Sequence, residues 1–461
     1  MKLPLTQIVT CWGLTKTAKV FIMKPKNVDE IQQCIRLAMQ NNLQIAIKGG
    51  GNSYTDVFMN SGQMMIDVSK LNSIKNFDEE HGIITVESGV RIGELLKIIM
   101  PKNWSLVALS GSANDVIGGM VSSNTHGKDT WHAGNFSQNV TSLKIIMADG
   151  SIKEIDRNKD NDLFNAVIGG LGFFGIVIEI TMKLKQIPSF MVKTETTQIK
   201  NFNDLFEKIY SLDEKKTNFS YGIIDPFTKG ESLGRGQIES SNYVKNINCT
   251  TKKFEKFLTP KSKVSLMSPE MFWTLFKIIW GNKTNMLLNK LRYYRSTSSK
   301  NSIIPYPKYQ YVLSSTPKLN LLFAPKGFME IQSIFPKKNA IEAFSELVTN
   351  SQEAKHHPFI CGIKRHKPDP SFLSFAKEGL SITINFSLNN IKKIERERYC
   401  KEILETVLKF DGITYISKHA FLPKDTFQKM YPKYTKILKL KEKFDPKNVF
   451  LSNATKRLLL E

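Results

Sequence analysis

Several common protein classes are excluded by what this 461-residue chain does not contain. Its five cysteines, at positions 11, 34, 249, 361 and 400, are scattered, odd in number and never spaced C-x-x-C. A disulfide framework or a cysteine-built zinc centre is therefore not expected, and no metal site is assigned. No run reaches the roughly 18 uninterrupted apolar residues of a membrane-spanning helix; the nearest, Met271 to Trp280, is short and carries Lys277. The opening MKLPLTQIVTCWGLTK has an early lysine but no continuous apolar stretch. A secretory signal is thus not expected, and a soluble, cytoplasmic protein is. No C2H2 pattern, RNP1-like run or basic zipper appears, which argues against nucleic acid. Acidic residues are in the minority, 42 against 65 Lys and Arg, for a net charge of +23. That excess suits an anionic lipid or a phosphorylated substrate, but lysines spread along the whole chain also fit a plain solvated surface.

What is present is ordinary for a globular chain: 41% hydrophobic and 23% charged residues. At about 150 residues per domain the length suggests two or three domains. Pro25 precedes Asn27-Val28-Asp29-Glu30, an acidic helix start, and apolar residues then recur at helical spacing to Met39. Strands are predicted at Leu43–Ile47, Met64–Val68, Ile83–Val86 and Ile176–Met182, and helices at Ile92–Met100 and Asp162–Val167. Leu143–Met147 and Ile152–Ile155 form a hairpin, because Asp149-Gly150 supplies the positive φ of a tight turn. From about Lys185 the composition turns Lys- and Asn-rich. Phe328–Phe335 and Leu380–Phe386 alternate like sheet strands, Asn339–Thr349 and Arg396–Leu408 are helical, Tyr415–Lys418 reads as a strand end, and Thr426–Leu440 as one basic helix.

Three glycine-rich loops carry the chemistry. The first, Gly49-Gly50-Gly51-Asn52-Ser53-Tyr54, follows a strand, and its missing side chains let main-chain N–H groups approach an anion. It matches neither the P-loop pattern nor a G-x-G-x-x-G run opening a helix, so ATP hydrolysis and Rossmann binding are disfavoured. The second runs from Gly111 through Gly118-Gly119 to Ser123-Asn124-Thr125-His126-Gly127-Lys128. The third is Gly169-Gly170-Leu171-Gly172 through Gly175-Ile176-Val177. A flexible loop would explain any one of them, and a lone histidine is more often structural than functional. Their order and spacing together resemble the FAD domain of the vanillyl-alcohol-oxidase (PCMH-type) flavoprotein superfamily.

Within it, Trp12-Gly13-Leu14-Thr15, Asn52-Ser53-Tyr54, His126-Gly127-Lys128, Ala148-Asp149-Gly150, Tyr415-Ile416-Ser417-Lys418 and Phe444-Asp445-Pro446-Lys447-Asn448-Val449-Phe450 resemble the decaprenylphosphoryl-β-D-ribose 2′-oxidase subfamily. The resemblance implies an α+β chain: a PCMH-type FAD-binding domain (1–185), a substrate domain built on an antiparallel sheet with helices (186–412), and a C-terminal segment (413–461) returning to the first. It implies FAD held by Gly49, Gly50, Gly51, Asn52, Ser53 and Tyr54 at the pyrophosphate. Gly111, Val116, Ile117, Gly118, Gly119, Ser123, Asn124, Thr125, His126, Val177 and Tyr415 contact the remainder. Many relatives attach FAD through a histidine at the position of Asn52; asparagine cannot form that bond, so binding is expected to be non-covalent.

The resemblance further implies Lys418 as the leading catalytic residue, with His126 beside it. A fixed ammonium there stabilises charge developing at the reduced flavin, or it orients or deprotonates the substrate hydroxyl. Substrate contacts carry over to Lys128, Tyr311, Glu330, Gln332, Lys364, Thr383 and Asn385. Thr383 stands where the family has an inhibitor-reactive cysteine, Asn385 where it has an aspartate, and Glu330 where it has glutamine. These departures bear on the substrate more than on the flavin. The implied activity is oxidation of a sugar secondary alcohol, most sharply the 2′-hydroxyl of a polyprenyl-phosphoryl ribose, by hydride transfer to flavin N5. A short-chain reductase partner would complete epimerisation to arabinose, and peripheral membrane contact is permitted by the basic surface. The alternatives are a sugar-lactone or alditol oxidase acting on a free sugar, and a non-catalytic flavin-binding or membrane-surface protein.

Overall fold

Helix formation begins where the sequence signals it. Asn27 caps the Val28–Gln40 helix by accepting from Glu30 N at 2.9 Å, and Glu30 reaches back to Lys26 N at 2.8 Å. Ile31, Cys34, Ile35 and Ala38 then form one buried stripe, and each isoleucine so placed contributes about 1.5–3 kcal/mol. The computed structural model describes residues 2–245, 254–259, 261–296, 301–389 and 391–461. Cys249 lies outside them; Cys11, Cys361 and Cys400 are buried free thiols.

The helix packs on a four-stranded sheet ordered Thr6–Thr10, Thr17–Met23, Met64–Asp67, Ile45–Lys48. Its last three strands are parallel, with near-continuous burial over Met64–Asp67 as a parallel sheet requires. A five-stranded antiparallel sheet follows, ordered Ile74–Asp78, Ile83–Glu87, Ile176–Lys183, Val140–Ile146, Ile152–Asp156. The Asp149-Gly150 hairpin joins its last two strands, with Gly150 at φ +84°.

The largest sheet is antiparallel and has eight strands: Ser302–Pro305, Met191–Ile199, Gly236–Tyr243, Phe219–Ile224, Cys361–His366, Gly379–Ser387, Phe328–Pro336 and Ile413–Thr414. Ile238, Ile363, Ile382, Ile384 and Ile331 are buried on one face, the side on which the Ala340–Glu353 helix packs. The mixed α+β class is as expected.

Two local readings need correction. Tyr415–Lys418 is not a strand end: pairing stops at Ile413–Thr414, and Lys418 N turns back to Tyr415 O at 3.1 Å. Thr426–Leu440 is two helices, Lys424–Met430 and Tyr434–Phe444, because Pro432 lacks the N–H that a continuous helix needs. The region after Lys185 holds the strands Met191–Ile199, Phe219–Ile224 and Gly236–Tyr243.

The chain's last part packs against its first. Ile45 N donates to Val449 O at 2.7 Å and Leu451 N to Ile45 O at 2.8 Å, which extends the four-stranded sheet by one bridge. Arg457 forks onto the buried Asp56 at 2.7 and 3.0 Å. Lys441, wholly enclosed, donates to Asp445 (2.6 Å) and to the carbonyls of Phe450 (2.7 Å) and Phe173 (2.5 Å), the last inside the third glycine loop.

Candidate functional site

Gly49 to Tyr54 are all partly exposed, while Ile45–Ala46 before them and Thr55–Asn60 after them are buried. Gly51 has φ +71°. A Cβ on Gly49 would sit 2.6 Å from Val116 Cγ2, and one on Gly50 would sit 3.2 Å from Asn114 O. The loop therefore rests on residues 114–116, which crowd any side chain at Gly49 or Gly50. Asn52 Nδ2 donates to Asp115 Oδ1 at 2.7 Å, and burial raises the Asp115 pKa. Ser53 Oγ donates to Ser417 O at 3.3 Å, and Ser53 O accepts from Trp12 N at 2.8 Å.

Val116 opens the short Ile117–Ser123 helix. Gly118 N donates to Ser88 O at 2.8 Å, a contact closed to any Cβ. Gly111 and Gly119 are less crowded: a Cβ on either would make ordinary contacts, at 4.0 Å with Leu313 and 3.6 Å with Val116, respectively. The helix end holds the third loop, with Gly169 N on Val121 O (2.9 Å) and Leu171 N on Ser122 O (3.0 Å). Tyr415 OH donates to Ser123 O at 2.8 Å, and Val177 is buried in the adjoining strand. Exposed glycine main chain and a buried Ser417 Oγ without a partner among the described residues suit an extended dinucleotide. Asn124 has no amide to spare: it donates to Asp369 (2.8 Å) and Ser371 (3.2 Å) and accepts from Ser137 N (3.1 Å). Thr125 Oγ1 turns inward to Met120 O at 3.4 Å.

The second face of the eight-stranded sheet is polar. Cross-strand partners share a face, so the pairs Glu330–Asn385, Gln332–Thr383, Lys364–Ser381 and Tyr221–Glu239 fix its composition. Lys418, delivered by the turn after Ile413–Thr414, donates to Glu330 Oε1 at 2.5 Å, with its Nζ 5.4 Å from the Tyr54 ring. Gln332 Nε2 and His366 Nε2 both meet Ser381 Oγ, at 3.1 and 2.8 Å. Lys364 Nζ lies 3.3 Å from His126 Nδ1, and the His126 and Tyr415 rings are 5.3 Å apart. Lys128 Nζ donates to Tyr309 O at 2.8 Å, lies 3.6 Å from Glu239, and stands 5.6 Å from the Tyr221 ring on which Lys364 sits at 5.7 Å.

Burial sets the charge states. It pushes the Lys364 pKa down to about 7, helped by the charges of Lys418 and Lys128. It holds His126 well below the usual imidazole range, with Lys364 the next cause, so His126 is neutral and its Nδ1 accepts from Lys364. Burial also lowers Lys128 and takes His366 down to about 3.

Lys418, His126, Lys128, Lys364, Glu330 and Gln332 thus meet at the polar face, with Thr383 beside Gln332. Of the other candidates, Asn385 shares this face opposite Glu330, and Tyr311 does not join it. Asn385 Oδ1 accepts from Phe359 N and Ile360 N, both at 3.0 Å, and so fixes the chain ahead of the Cys361–His366 strand. Tyr311 is buried at Val312's helix start, its hydroxyl without a hydrogen-bond partner among the described residues. Sequence reasoning did not find Tyr221, Glu239, His366, Ser381 or Asp115. The alternation Tyr221/Ile223 and Gln237/Glu239 was the available signal for the first two. Among the described residues no cluster of His, Cys, Asp or Glu is arranged to hold a metal ion.

Known proteins match at both ends of the chain. Residues 20–156 match the FAD binding domain family and residues 333–458 the D-arabinono-1,4-lactone oxidase family. The decaprenylphosphoryl-β-D-ribose oxidase of Mycolicibacterium smegmatis is 26% identical over 460 residues, covering 97% of this chain and 96% of its own. The L-gulonolactone oxidase of Mus musculus is 22% identical over 447 residues, covering 94% of each. The D-arabinono-1,4-lactone oxidase of Kluyveromyces lactis is 28% identical over 231 residues, 49% of this chain and 42% of its own.

Proposed function

We infer a substrate from one premise: the chain belongs to the vanillyl-alcohol-oxidase/PCMH-type FAD-linked oxidase superfamily and is a FAD-dependent oxidoreductase acting on sugar-like CH–OH donors. The proposed reaction is oxidation of a sugar secondary alcohol to a ketone, most specifically the 2′-hydroxyl of a polyprenyl-phosphoryl ribose. It forms the first half of an epimerisation to arabinose that a short-chain reductase partner completes, at the cytoplasmic face of a membrane.

The observation that carries this reading is the pair of largely enclosed lysines, Lys128 and Lys364, whose Nζ atoms lie 5.6 and 5.7 Å from the Tyr221 ring. Glu239, 3.6 Å from Lys128, answers one of these charges, and closely enclosed cations gain from a further anion. A phosphodiester supplies one; a neutral lactone or polyol does not. The lactone-oxidase match over residues 333–458 supports a second reading, oxidation of a sugar-1,4-lactone or alditol.

Residues 1–185 and 413–461 are proposed to hold FAD, without a covalent link at Asn52, and 186–412 to hold the sugar. When bound, FAD supplies the hydride acceptor, N5. The protein's share is positional and electrostatic. Gly49 to Tyr54 offer main-chain donors to the pyrophosphate. Lys418, fixed by Glu330, presents a positive charge where negative charge develops, and Glu330 is placed to receive a hydroxyl proton through that short contact. His126 and Gln332 orient the sugar, and Lys128 with Lys364 hold its phosphate as point charges.

An anaerobic panel tests this: polyprenyl-phosphoryl ribose should bleach the flavin far faster than free polyols or aldonolactones. Faster bleaching by a lactone would replace the first reading with the second.

A further inference from the structure

Two consecutive helices, Pro269–Ile279 and Asn282–Ser296, joined at Gly281, both expose apolar side chains, and the second has its polarity inverted. On the second, the inward residues are Asn285 and Asn289, only 5% and 4% exposed. Asn285 Nδ2 donates to Pro358 O at 3.0 Å, Asn289 Nδ2 to Asn285 O at 3.0 Å, and Arg292 to Asn289 Oδ1 at 2.8 Å. Met286, Leu287 and Leu291 point the other way, into solvent, joined by Leu275, Ile278 (80% exposed) and Ile279 of the first helix. A helix of a water-exposed surface carries its apolar stripe toward the core; this one carries it away. Exposed apolar area on this scale marks a contact surface.

Its charge says what the contact is. Residues 261–296 hold seven basic side chains, including Lys277, Lys283, Lys290 and Arg295, against the single acid Glu270. Apolar side chains protruding among lysines match a headgroup layer over acyl chains. A symmetric pairing of two copies would instead set the same basic residues against each other. Among the described residues no helix is long and apolar enough to cross a membrane, so the contact is a surface one.

The helix pair is also joined to the site. Trp280 meets Phe323 at 6.2 Å between ring centres, Phe323 meets Phe328 at 4.8 Å, Phe328 meets Tyr54 at 5.6 Å, and the Tyr54 ring faces Lys418. Trp273 Nε1 anchors the first helix to Pro317 O at 2.8 Å.

We propose that the helices Pro269–Ile279 and Asn282–Ser296 dock the protein on an anionic bilayer, setting the aromatic approach to Lys418 against the lipid. The proposal gives a place to the lipid-linked substrate and rests on that reading for its purpose, but not for its test. The full flavin-loaded protein is floated with vesicles of phosphatidylcholine alone or of an equimolar mixture with phosphatidylglycerol, with no sugar lipid present. Association with the mixed vesicles is expected, on the order of tenfold above phosphatidylcholine. The double change Ile278→Glu and Leu287→Glu should lower it by a similar factor, with flavin content and melting temperature unchanged. If the double variant fails to retain flavin, Leu287→Glu alone, on a solvent-facing side chain, is read the same way. Flotation unchanged in the variants overturns the proposal. So does wild type that stays with the soluble fraction, or a wild-type dimer that the substitutions dissolve. Because no substrate enters the assay, a wrong sugar assignment leaves its outcome unaltered.

Discussion

Lys418 and Glu330 are bound to each other across 2.5 Å, one from the turn after the last strand of the large sheet, the other from the strand beside it. The contact ties the orientation of a cation to a carboxylate 88 residues away in sequence. Lys418→Ala is expected to keep flavin and to slow substrate-driven bleaching by on the order of 100- to 1,000-fold, the scale of losing one preorganised electrostatic group. Glu330→Gln keeps the geometry and removes the charge, and should slow bleaching less than Lys418→Ala. Anaerobic stopped-flow absorbance measures both; Lys418→Ala bleaching at the wild-type rate would remove this residue from the chemistry.

Lys364 gives a pH dependence with a definite sign. Its folded pKa is lowered to about 7 from 10.5, so its proton leaves as pH rises through 7 and an anionic substrate loses a partner. KM for a phosphorylated sugar should therefore rise between about pH 6 and 8, and Lys364→Met should flatten the rise. For stability the sign is opposite. Between about 7 and 10.5 the unfolded chain binds the extra proton, so this residue makes folding more favourable as pH climbs. Lys364→Met should raise the melting temperature most below pH 7.

The Lys441–Asp445 pair is enclosed, with 3% and 0% of the side chains exposed. Lys441→Ala would leave Asp445 buried with only the Val449 and Phe450 N–H groups as partners. The expected loss is about 3–5 kcal/mol, since an uncompensated buried charge remains. Urea unfolding followed by tryptophan fluorescence measures it. Flavin content should fall as well, because Lys441 also holds Phe173 O.

Asn52 spends its amide on Asp115 and offers no ring nitrogen for a flavin bond. Acid precipitation should therefore send the yellow colour to the supernatant. Colour retained in the pellet would contradict a non-covalent cofactor.

Much of this was legible in the residues, and the reasons are physical. Glycine runs announce close main-chain approach wherever they fall, so the three loops could be found without any tertiary knowledge. Glu330 and Gln332 could be put on one face from period 2 alone. The polar side of the large sheet was harder, because Tyr221 and Glu239 alternate with residues too ordinary to stand out, and only the register brings them to Lys128 and Lys364. The contacts of Asn385 were hidden for a related reason: a strand pattern shows which face a side chain occupies, not that Phe359 and Ile360 will claim its oxygen. Pro432 was a visible breaker within the basic stretch, and the charge pattern obscured it.

The bond from Arg457 to Asp56 spans 401 residues. On a ribosome the first glycine loop emerges early, yet the carboxylate behind it and the free edge of Ile45 wait for partners made hundreds of residues later. Nascent chains must therefore carry this half-finished cradle until residues 449–457 have been made, and the first glycine loop gains its full backing only then.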